Sequence, residues 1–331
     1  MSEEEYIWER VGNLRGIGPK TLWDIAHYLE EKGQTLSWLI SREDELERSP
    51  LKIDHDDVAR IKAGVPTDRG GSLYTVLHPL HPDFPERVKR FNEQKPMPAL
   101  LYVQGNTALL RRPGIAVIGA RDAAEKALDV ARETAKRLAG EGVNIISGHA
   151  KGVDSAAHLG ALEAGGTTTI VPSEGLRRFR LREELRQYAG EENVLLISQF
   201  EPDARWKAYF AMERNKLIVA LARAVLVVQS GPERDASGKM SGTFNAASFA
   251  LNVHAPVFIV SPGFFARGVE GNRALIEKGG KEWDPREGVD VLLSEIRSGV
   301  GKAEVVKSPE MKKGRERKGR DTAQMDLFED Q

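Results

Sequence analysis

The sequence contains no cysteine among its 331 residues. That absence excludes disulfide bonds, thiolate metal sites and a cysteine nucleophile. Seven histidines are present, but none has the spacing of a metal-ligating motif such as HExxH, and we expect neither a metal nor another cofactor. No apolar run approaches the ~20 residues that a membrane-spanning helix requires. The acidic start, MSEEEYIWER, lacks the pattern of a signal peptide, so we expect a soluble cytoplasmic protein without a membrane partner.

The chain also has almost no net charge, with 48 Lys and Arg against 49 Asp and Glu. A generally basic nucleic-acid-binding protein is thereby excluded, and any contact with DNA has to come from locally sorted charge. Residues 1–70 carry 10 basic and 15 acidic side chains, residues 71–297 carry 30 and 27, and residues 298–331 carry 8 and 7. The hydrophobic periodicity changes at the same places, which predicts three regions.

The middle region, residues 71–297, alternates short apolar runs with longer amphipathic stretches that suit crossover helices. Its predicted strands are nearly all apolar, which is typical of a parallel sheet buried on both faces; they are residues 115–118, 143–146, 168–171, 194–197, 224–228 and 257–260. This pattern indicates an α/β fold with a doubly wound, mostly parallel, Rossmann-like sheet. Residues 298–331 are too polar to pack and predict a disordered, flexible tail.

Residues 1–70 predict a small all-α domain, in which LRGIGPK, residues 14–20, resembles a helix-hairpin-helix turn. In that motif Gly16 and Gly18 would present backbone N–H groups that hold a DNA phosphate without reading the sequence, and Lys20 would add charge. The alternative is a helix-turn-helix packing unit whose glycines only cap a helix. The acidic balance of this region leaves both interpretations open.

Small and basic residues follow three predicted strands, at the edge of a doubly wound sheet where ligands bind. The first strand is followed by GARD and the second by SGHAKGVDSAAH. The fifth is followed by QSG and then by SGKMSGT, a segment that contains Lys239, Gly242 and Thr243. Glycines allow the backbone to approach an anion, helix N-termini supply N–H groups, and Ser, Lys and Arg complete the coordination. We predict a phosphate site. Neither GxGxxG nor GxxxxGKS occurs there, so no dinucleotide or Walker-type site is specified.

Three groups near these loops have two interpretations each. Asp154 and His158 are four residues apart on a predicted helix and would form a local pair, which we interpret as structural in preference to acid–base catalysis. The basic residues of RNKLI, residues 214–218, either face the same ligand or begin a solvated helix. The five arginines within residues 177–186 either extend a groove that follows the DNA backbone or form a solvated helix face.

Five segments, in order along residues 74–280, resemble the DprA/Smf DNA-processing family: residues 74–119, SGHAKGVDSAAH, ERNKLIVALARAVLVVQS, SGTFNAASFALNVHAPVFIVSPG and GNRALIEKGG. The resemblance implies a homodimeric, Rossmann-like mediator, not an enzyme. Such a protein binds single-stranded DNA and loads RecA recombinase past single-strand-binding protein, in natural transformation, recombination or repair.

The resemblance also implies roles for particular residues. By motif match, Arg121 and Lys151 fall where the family places DNA-contacting cations, and the pocket is shaped by Ser147, Gly148 and Gly152. Weaker candidates are Arg214, Asn215 and Lys216. One departure is GLRRFR at residues 175–180, where the family has Tyr-Pro and Asn after the third strand, and we expect a different pocket rim there. The family's C-terminal winged helix is also not recognisable in this sequence.

The segment QMDLF, residues 324–328, resembles the peptide by which bacterial repair proteins dock on the β sliding clamp. In that peptide Gln324 would hydrogen-bond at the mouth of a pocket while Leu327 and Phe328 fill an apolar cleft. The alternative is a tail without a partner.

A competing function is a Rossmann-like nucleotide-binding sensor or a phosphoribohydrolase-like enzyme. The related hydrolases carry a Pro-Gly-Gly-x-Gly-Thr-x-x-Glu signature, and this chain has KMSGTFNA at residues 239–246. Ala246 stands where the hydrolase has its carboxylate, so the hydrolase interpretation loses its acid–base group.

Overall fold

The protein is described by a computed structural model over residues 1–65 and 73–298. The predicted boundary at residue 70 and the predicted clamp peptide, Gln324, Leu327 and Phe328, lie outside the described residues. Within them, no helix combines the length and the apolarity that crossing a membrane would require.

Nine strands in the described chain form one sheet, in the spatial order β1-β2-β6-β5-β4-β3-β7-β8-β9. They are β1 (Thr75–Leu77), β2 (Leu101–Gly105), β3 (Gly114–Ile118), β4 (Asn144–Ser147), β5 (Thr168–Ile170), β6 (Val194–Ser198), β7 (Ala224–Val227), β8 (Val257–Val260) and β9 (Lys281–Trp283). The strands from β6 to β9 in this order are parallel, whereas β2 pairs antiparallel with both β1 and β6. The predicted fold class, a doubly wound and mostly parallel α/β sheet, is confirmed.

The helices precede the sheet, connect its strands or, in α13, follow its last strand. They are α1 (Glu3–Gly12), α2 (Pro19–Lys32), α3 (Leu36–Ile40), α4 (Glu43–Arg48), α5 (His55–Ala63), α6 (Glu86–Asn92), α7 (Glu125–Gly140), α8 (Val153–Glu163), α9 (Glu183–Arg186), α10 (Ala208–Leu221), α11 (Gly242–Asn252), α12 (Glu270–Glu277) and α13 (Asp290–Ser298). Helix α7 illustrates how these helices pack on the sheet. Its apolar residues recur every three or four positions and form one stripe, which is buried against the sheet.

The six predicted strands are all present, with ends that differ by no more than one residue. Strands β1, β2 and β9 are not predicted from the sequence pattern. Strands β1 and β9 have three residues each, which is too few to show a periodicity. Strand β2 ends in a polar pair, Gln104–Gly105, which interrupts its apolar run. These strands extend the parallel core at its two edges.

Two apolar layers enclose the parallel strands. Helices α7, α8 and α13 bury residues such as Leu138, Ala157 and Leu293 on one face. Helices α10, α11 and α12 bury Leu217, Phe244 and others on the opposite face. Strand β3 lies between β4 and β7, so the loops that follow these three strands leave the same edge of the sheet side by side.

The N-terminal helices pack against the antiparallel end of the sheet and share one apolar cluster with it. Trp8 of α1 stacks on His78, which follows β1, with ring centroids 4.8 Å apart. The Trp23 indole of α2 donates a hydrogen bond to the carbonyl oxygen of Met97 at 3.0 Å, and its ring meets Phe84 edge-on. Indole contacts of this kind fix the helices against β1 and β2.

We expect the change Trp23→Phe to lower the free energy of unfolding by about 2–3 kcal/mol, because it leaves a buried carbonyl without a donor and opens a small cavity. The matched control is Trp38→Phe, since Trp38 is half-buried and its truncation should cost less than about 1 kcal/mol. Urea denaturation of the full chain measures both. Equal losses would contradict the role of the Trp23 indole.

Candidate functional site

The loop after β3 is held between its two neighbours at the carboxyl edge of the sheet. The Ala120 N–H donates to the Gln229 carbonyl oxygen at 2.8 Å, and the Val153 N–H donates to the Ala120 carbonyl oxygen at 3.3 Å. The Gln229 side chain accepts a third bond from the Ala124 N–H at 2.9 Å. The loops after β3, β4 and β7 therefore meet at this edge of the sheet.

Gly152 makes the contact between the first two loops possible. Its φ of +90° lies in the left-handed region that favours glycine. A Cβ atom at this position would stand 2.5 Å from the carbonyl oxygens of both Ala120 and Arg121. Gly119 is equally confined, because a Cβ there would press on the Val153 side chain at 2.5 Å. The glycines of these loops thus serve loop-to-loop packing.

That packing brings Arg121 and Lys151 to one open cleft of about 560 Å³. Both side chains are exposed, and neither has a hydrogen bond or an ion pair within the described part of the chain. Two carboxylates, Asp122 and Glu184, stand at the same cleft.

Helix α8 begins at this cleft with Gly152 as its cap. Among the described residues, no side chain bonds to its first N–H groups, but the Val153 N–H already donates to the Ala120 carbonyl oxygen, and Asp154 lies in the first turn. The two cations, which have no hydrogen-bond or ion-pair partner in the ranges that the structure describes, are suited to an anion.

Arg214 is buried in the protein, whereas Arg121 and Lys151 are exposed. Its guanidinium is buried, donates to the Val171 carbonyl oxygen at 3.1 Å, and lies 3.9 Å from an oxygen of Asp154. A Cβ on Gly148 would overlap this guanidinium. Burial raises the pKa of the Asp154 carboxyl, and the Arg214 charge opposes that shift. Arg214 therefore supports the loop of residues 148–152 from inside the protein.

Ser147 and His158 are also turned inward. The Ser147 hydroxyl donates to the Val117 carbonyl oxygen at 2.6 Å. His158 does not pair with Asp154, because its two ring nitrogens contact the Gly148 carbonyl oxygen at 2.9 Å and the Thr168 hydroxyl at 2.6 Å. Burial lowers the pKa of His158 to about 4, so the ring is neutral at pH 7. A neutral, doubly bonded histidine ties α8 to β4 and β5.

The remaining strand-end candidates gather at the beginning of α11, apart from the cleft. The Asn215 amide donates to the Gly242 carbonyl oxygen at 3.1 Å, and Thr243 is the second residue of α11. Lys216 pairs with Glu213 at 3.0 Å. Lys239 lies in the exposed loop before this helix. This group borders the carboxyl end of β7.

The turn between α1 and α2 contains two of the candidate glycines, and Lys20 follows it in α2. Gly16 has a φ of +88°, which requires glycine, whereas Gly18 is extended and caps α2 directly before Pro19. Lys20 is exposed in the first turn of α2. Gly18 also borders a second cleft, of about 410 Å³, between the hairpin and the loop after β6.

Two buried amides that the sequence analysis did not single out hold the strand ends together. Gln229 bridges the loop after β3 to the Arg267 carbonyl oxygen at 3.1 Å. Asn272 donates to the carbonyl oxygens of Val228 and Val260, at 3.0 and 2.9 Å, and accepts from the Ser230 N–H at 2.8 Å. Asn272 stands in the GNRAL segment, but its partners are distant in sequence, so no local pattern predicts its role.

Among residues 1–65 and 73–298, no group of three or more His, Asp or Glu side chains is placed to hold a metal ion. The arrangement is instead that of a Rossmann-like sheet with a glycine-built, cation-bearing cleft beside its strand ends. Proteins of this class bind phosphate-bearing ligands at that edge.

Within that class, the chain belongs to the family described as DNA recombination-mediator protein A, whose sequence profile it matches over residues 75–293. It is 34% identical over 188 residues to the DNA processing protein DprA of Streptococcus pneumoniae, which covers 56% of this chain and 63% of the relative. It is 32% identical over 184 residues to the protein Smf of Escherichia coli, covering 55% and 47%. The chain thus spans about half to two thirds of the curated relatives' length.

Two solved structures share the fold. The X-ray structure of DprA from Streptococcus pneumoniae superposes with a TM-score of 0.69 at 23% identity, over 88% of this chain and 98% of that one. DNA processing protein A from Helicobacter pylori gives a TM-score of 0.56 at 25% identity, over 67% and 96%. The latter structure was described for its unique single-stranded DNA binding mode.

We expect Gly152→Ala to lower the free energy of unfolding by about 3–4 kcal/mol, because it adds a clash with two carbonyl oxygens to the strain of a left-handed residue. Gly165→Ala is the matched control: Gly165 also has a positive φ, of +68°, but nothing lies within 4 Å of its Cβ position. Its loss should be about 1–2 kcal/mol, from strain alone. Urea denaturation measures the free energy of unfolding of both variants. Equal losses in Gly152→Ala and Gly165→Ala would contradict the close contact between the two loops.

Proposed function

We propose that this protein binds single-stranded DNA by its phosphates at the strand-end cleft, with Arg121 and Lys151 as the contacting cations. The observation that carries the proposal is that these two side chains meet in one cleft, without a hydrogen bond or ion pair in the described part of the chain, on loops that their glycines fix in place. Membership of the recombination-mediator family supports it, as does the single-stranded DNA binding ascribed to the Helicobacter pylori protein.

The lining of the cleft favours contact with the backbone over recognition of bases. It contains no aromatic side chain on which a base would stack. Arginine and lysine neutralise phosphates without regard to sequence, so binding should be sequence-independent and sensitive to salt. Ser147, Gly148, Gly152 and Arg214 act on this site by holding the loops, as described above.

The cellular role that accompanies such binding is that of a non-enzymatic recombination mediator, which loads RecA onto single-stranded DNA past single-strand-binding protein and works as a homodimer. The family assignment supports this role. The hydrolase alternative is disfavoured because Ala246, at the position of the hydrolase carboxylate, is an apolar residue buried in α11. Transformation, recombination and repair are the processes in which such loading is used.

Two other groups are proposed as secondary contacts with the DNA. The hairpin turn, with Gly16, Gly18 and Lys20, has an uncovered helix N-terminus and an exposed cation. The loop before α11 adds Lys239, with Asn215, Lys216, Gly242 and Thr243 beside it. Both lie on loops next to the strand-end edge.

The double change Arg121→Ala, Lys151→Ala should weaken binding of a single-stranded oligonucleotide by roughly 20-fold at 0.1 M salt and flatten the log–log salt dependence by about 1.4, since each phosphate contact contributes a slope of ~0.7. The unmodified protein should bind single strands more tightly than duplex. Fluorescence anisotropy over a salt series measures the loss of affinity, the salt dependence and the preference for single strands over duplex.

The matched control for this experiment is Lys136→Ala, Arg137→Ala, which removes the same two charge types from the far end of α7. It should leave affinity within about twofold of the unmodified protein, because no phosphate contact is lost. The site assignment is wrong if both double variants lose affinity equally, or if neither does.

We further propose that residues 324–328 recruit the protein to the β sliding clamp. Co-elution of the full chain with purified clamp in size-exclusion chromatography should disappear in Leu327→Ala, Phe328→Ala, because those two side chains would fill the apolar cleft of the clamp. Met325→Ala, a change between the anchor positions, should retain co-elution. Co-elution that survives the double change would exclude this peptide as the docking segment.

A further inference from the structure

Five arginines, within residues 177–186, follow β5 beside the proposed DNA cleft. Arg182 of this segment contacts the loop that carries Lys151. Its backbone N–H donates to the His149 ring at 3.3 Å, and its guanidinium donates to the His149 carbonyl oxygen at 3.5 Å. His149 is two residues from Lys151 in the same loop. The arginines are therefore adjacent to the cleft and not on a remote surface.

Apolar side chains fix this segment to the protein. Phe179 and Leu185 are buried in a cluster with Leu162, Ile170 and Val194. Phe179 also meets the His149 ring edge-on, with centroids 4.7 Å apart. A segment anchored at two buried positions presents its intervening charged residues from a defined surface, which reduces the entropy lost when they bind a ligand.

The charges of four of these arginines are not neutralised. Arg180 donates to the carbonyl oxygens of Arg177 and Phe179, at 3.1 and 2.7 Å, and Arg186 donates to that of Leu181 at 3.0 Å. Within the described residues, Arg177 is the one member of the five with a carboxylate partner, Asp203 at 2.8 Å. Bonds to carbonyl groups orient a guanidinium but leave its charge available to an anion.

Two further observations concern the charge balance around this segment. The Nε atom of Arg182 is buried and has no hydrogen-bond partner. The acidic neighbours are Glu183 and Glu184 of the short helix α9, which are exposed, and Glu174, which is half-buried before the segment. Asp203, the partner of Arg177, is a fourth carboxylate, so five arginines against four acids leave the segment with a net charge of +1.

The far end of the segment leads towards the hairpin turn. The Arg177 N–H donates to the Pro202 carbonyl oxygen at 3.0 Å, and the Gly175 N–H donates to that of Ala204 at 2.9 Å. The loop of residues 201–205 in turn lines the second cleft together with Ile17, Gly18 and Pro19 of the hairpin. One acidic residue, Glu201, and two basic residues, Arg205 and Lys207, line that cleft.

We infer that a single strand held at the strand-end cleft continues along Arg182, Arg180 and Arg178 to the helix-hairpin-helix turn. We call these three residues the arginine track. The track would follow phosphates without reading bases, as positively charged grooves do in proteins that bind single strands non-specifically. The inference rests on the proposed function, and it assigns one continuous path to two sites that would otherwise bind separately.

The test compares two lengths of oligonucleotide, about 6 and about 20 nucleotides, because a short strand fills one site and a long strand reaches the track. The change Arg178→Gln, Arg180→Gln should weaken binding of the long strand roughly 20-fold at 0.1 M salt and leave the short strand within about twofold. The matched control is Arg90→Gln, Arg112→Gln, two exposed arginines that line neither cleft, which should change neither affinity.

A second comparison tests where the track leads. Lys20→Gln should weaken binding of the long strand in the otherwise unmodified protein, by about fivefold at 0.1 M salt. In the Arg178→Gln, Arg180→Gln protein the same change should have no further effect, because the strand no longer reaches the hairpin. If Lys20→Gln instead weakens binding by the same factor in both proteins, DNA reaches the hairpin by another route, and the proposed path along the arginine track is wrong.

The outcomes separate the inference from the proposed function. The track is wrong if the long strand binds the Arg178→Gln, Arg180→Gln protein as tightly as the unmodified one, or if the Arg90→Gln, Arg112→Gln control loses as much. In either case a loss of binding in the Arg121→Ala, Lys151→Ala protein would leave the cleft assignment intact. Full binding of both oligonucleotides by that protein would overturn the cleft and the track together.

Discussion

The contact between the loops that follow β3 and β4 is the constraint on which the site depends. Gly152 allows two carbonyl oxygens to come within 2.5 Å of the position that a Cβ would take. No other residue type fits there without moving one of the loops. Because of that fit, Arg121 and Lys151 share a cleft although they are thirty positions apart in the chain. Loops fixed in this way would lose little conformational entropy in the proposed binding of a DNA phosphate.

The interior supports this contact with buried polar groups that are individually satisfied. Gln229 and Asn272 accept and donate at the ends of β3, β7 and β8. His158, neutral because of its burial, joins α8 to β4 and β5. These side chains satisfy backbone groups at or near the strand ends, which orders this edge of the sheet.

The almost neutral composition of the chain conceals a division of charge. The N-terminal helices are acidic overall. Cations collect at the carboxyl edge of the sheet, in the cleft and in the segment of residues 177–186, where Arg177 alone of the five arginines has a carboxylate partner among the described residues. A protein arranged in this way can bind a polyanion along one surface and avoid the non-specific association of a general polycation. The antiparallel strands β1 and β2 bring the hairpin towards the same surface.

The sequence by itself determined the fold class, the six parallel strands and the loops at their carboxyl ends, because apolar runs and glycine-rich turns are local patterns. It ranked Arg214 below Arg121 but still as a candidate DNA contact. In the structure α10 places Arg214 under Gly148, where burial makes it structural. Burial and pairing depend on residues distant in sequence. Tertiary structure alone therefore decided which cations are free, which amides join the strand ends, and how the arginine segment connects the cleft to the hairpin.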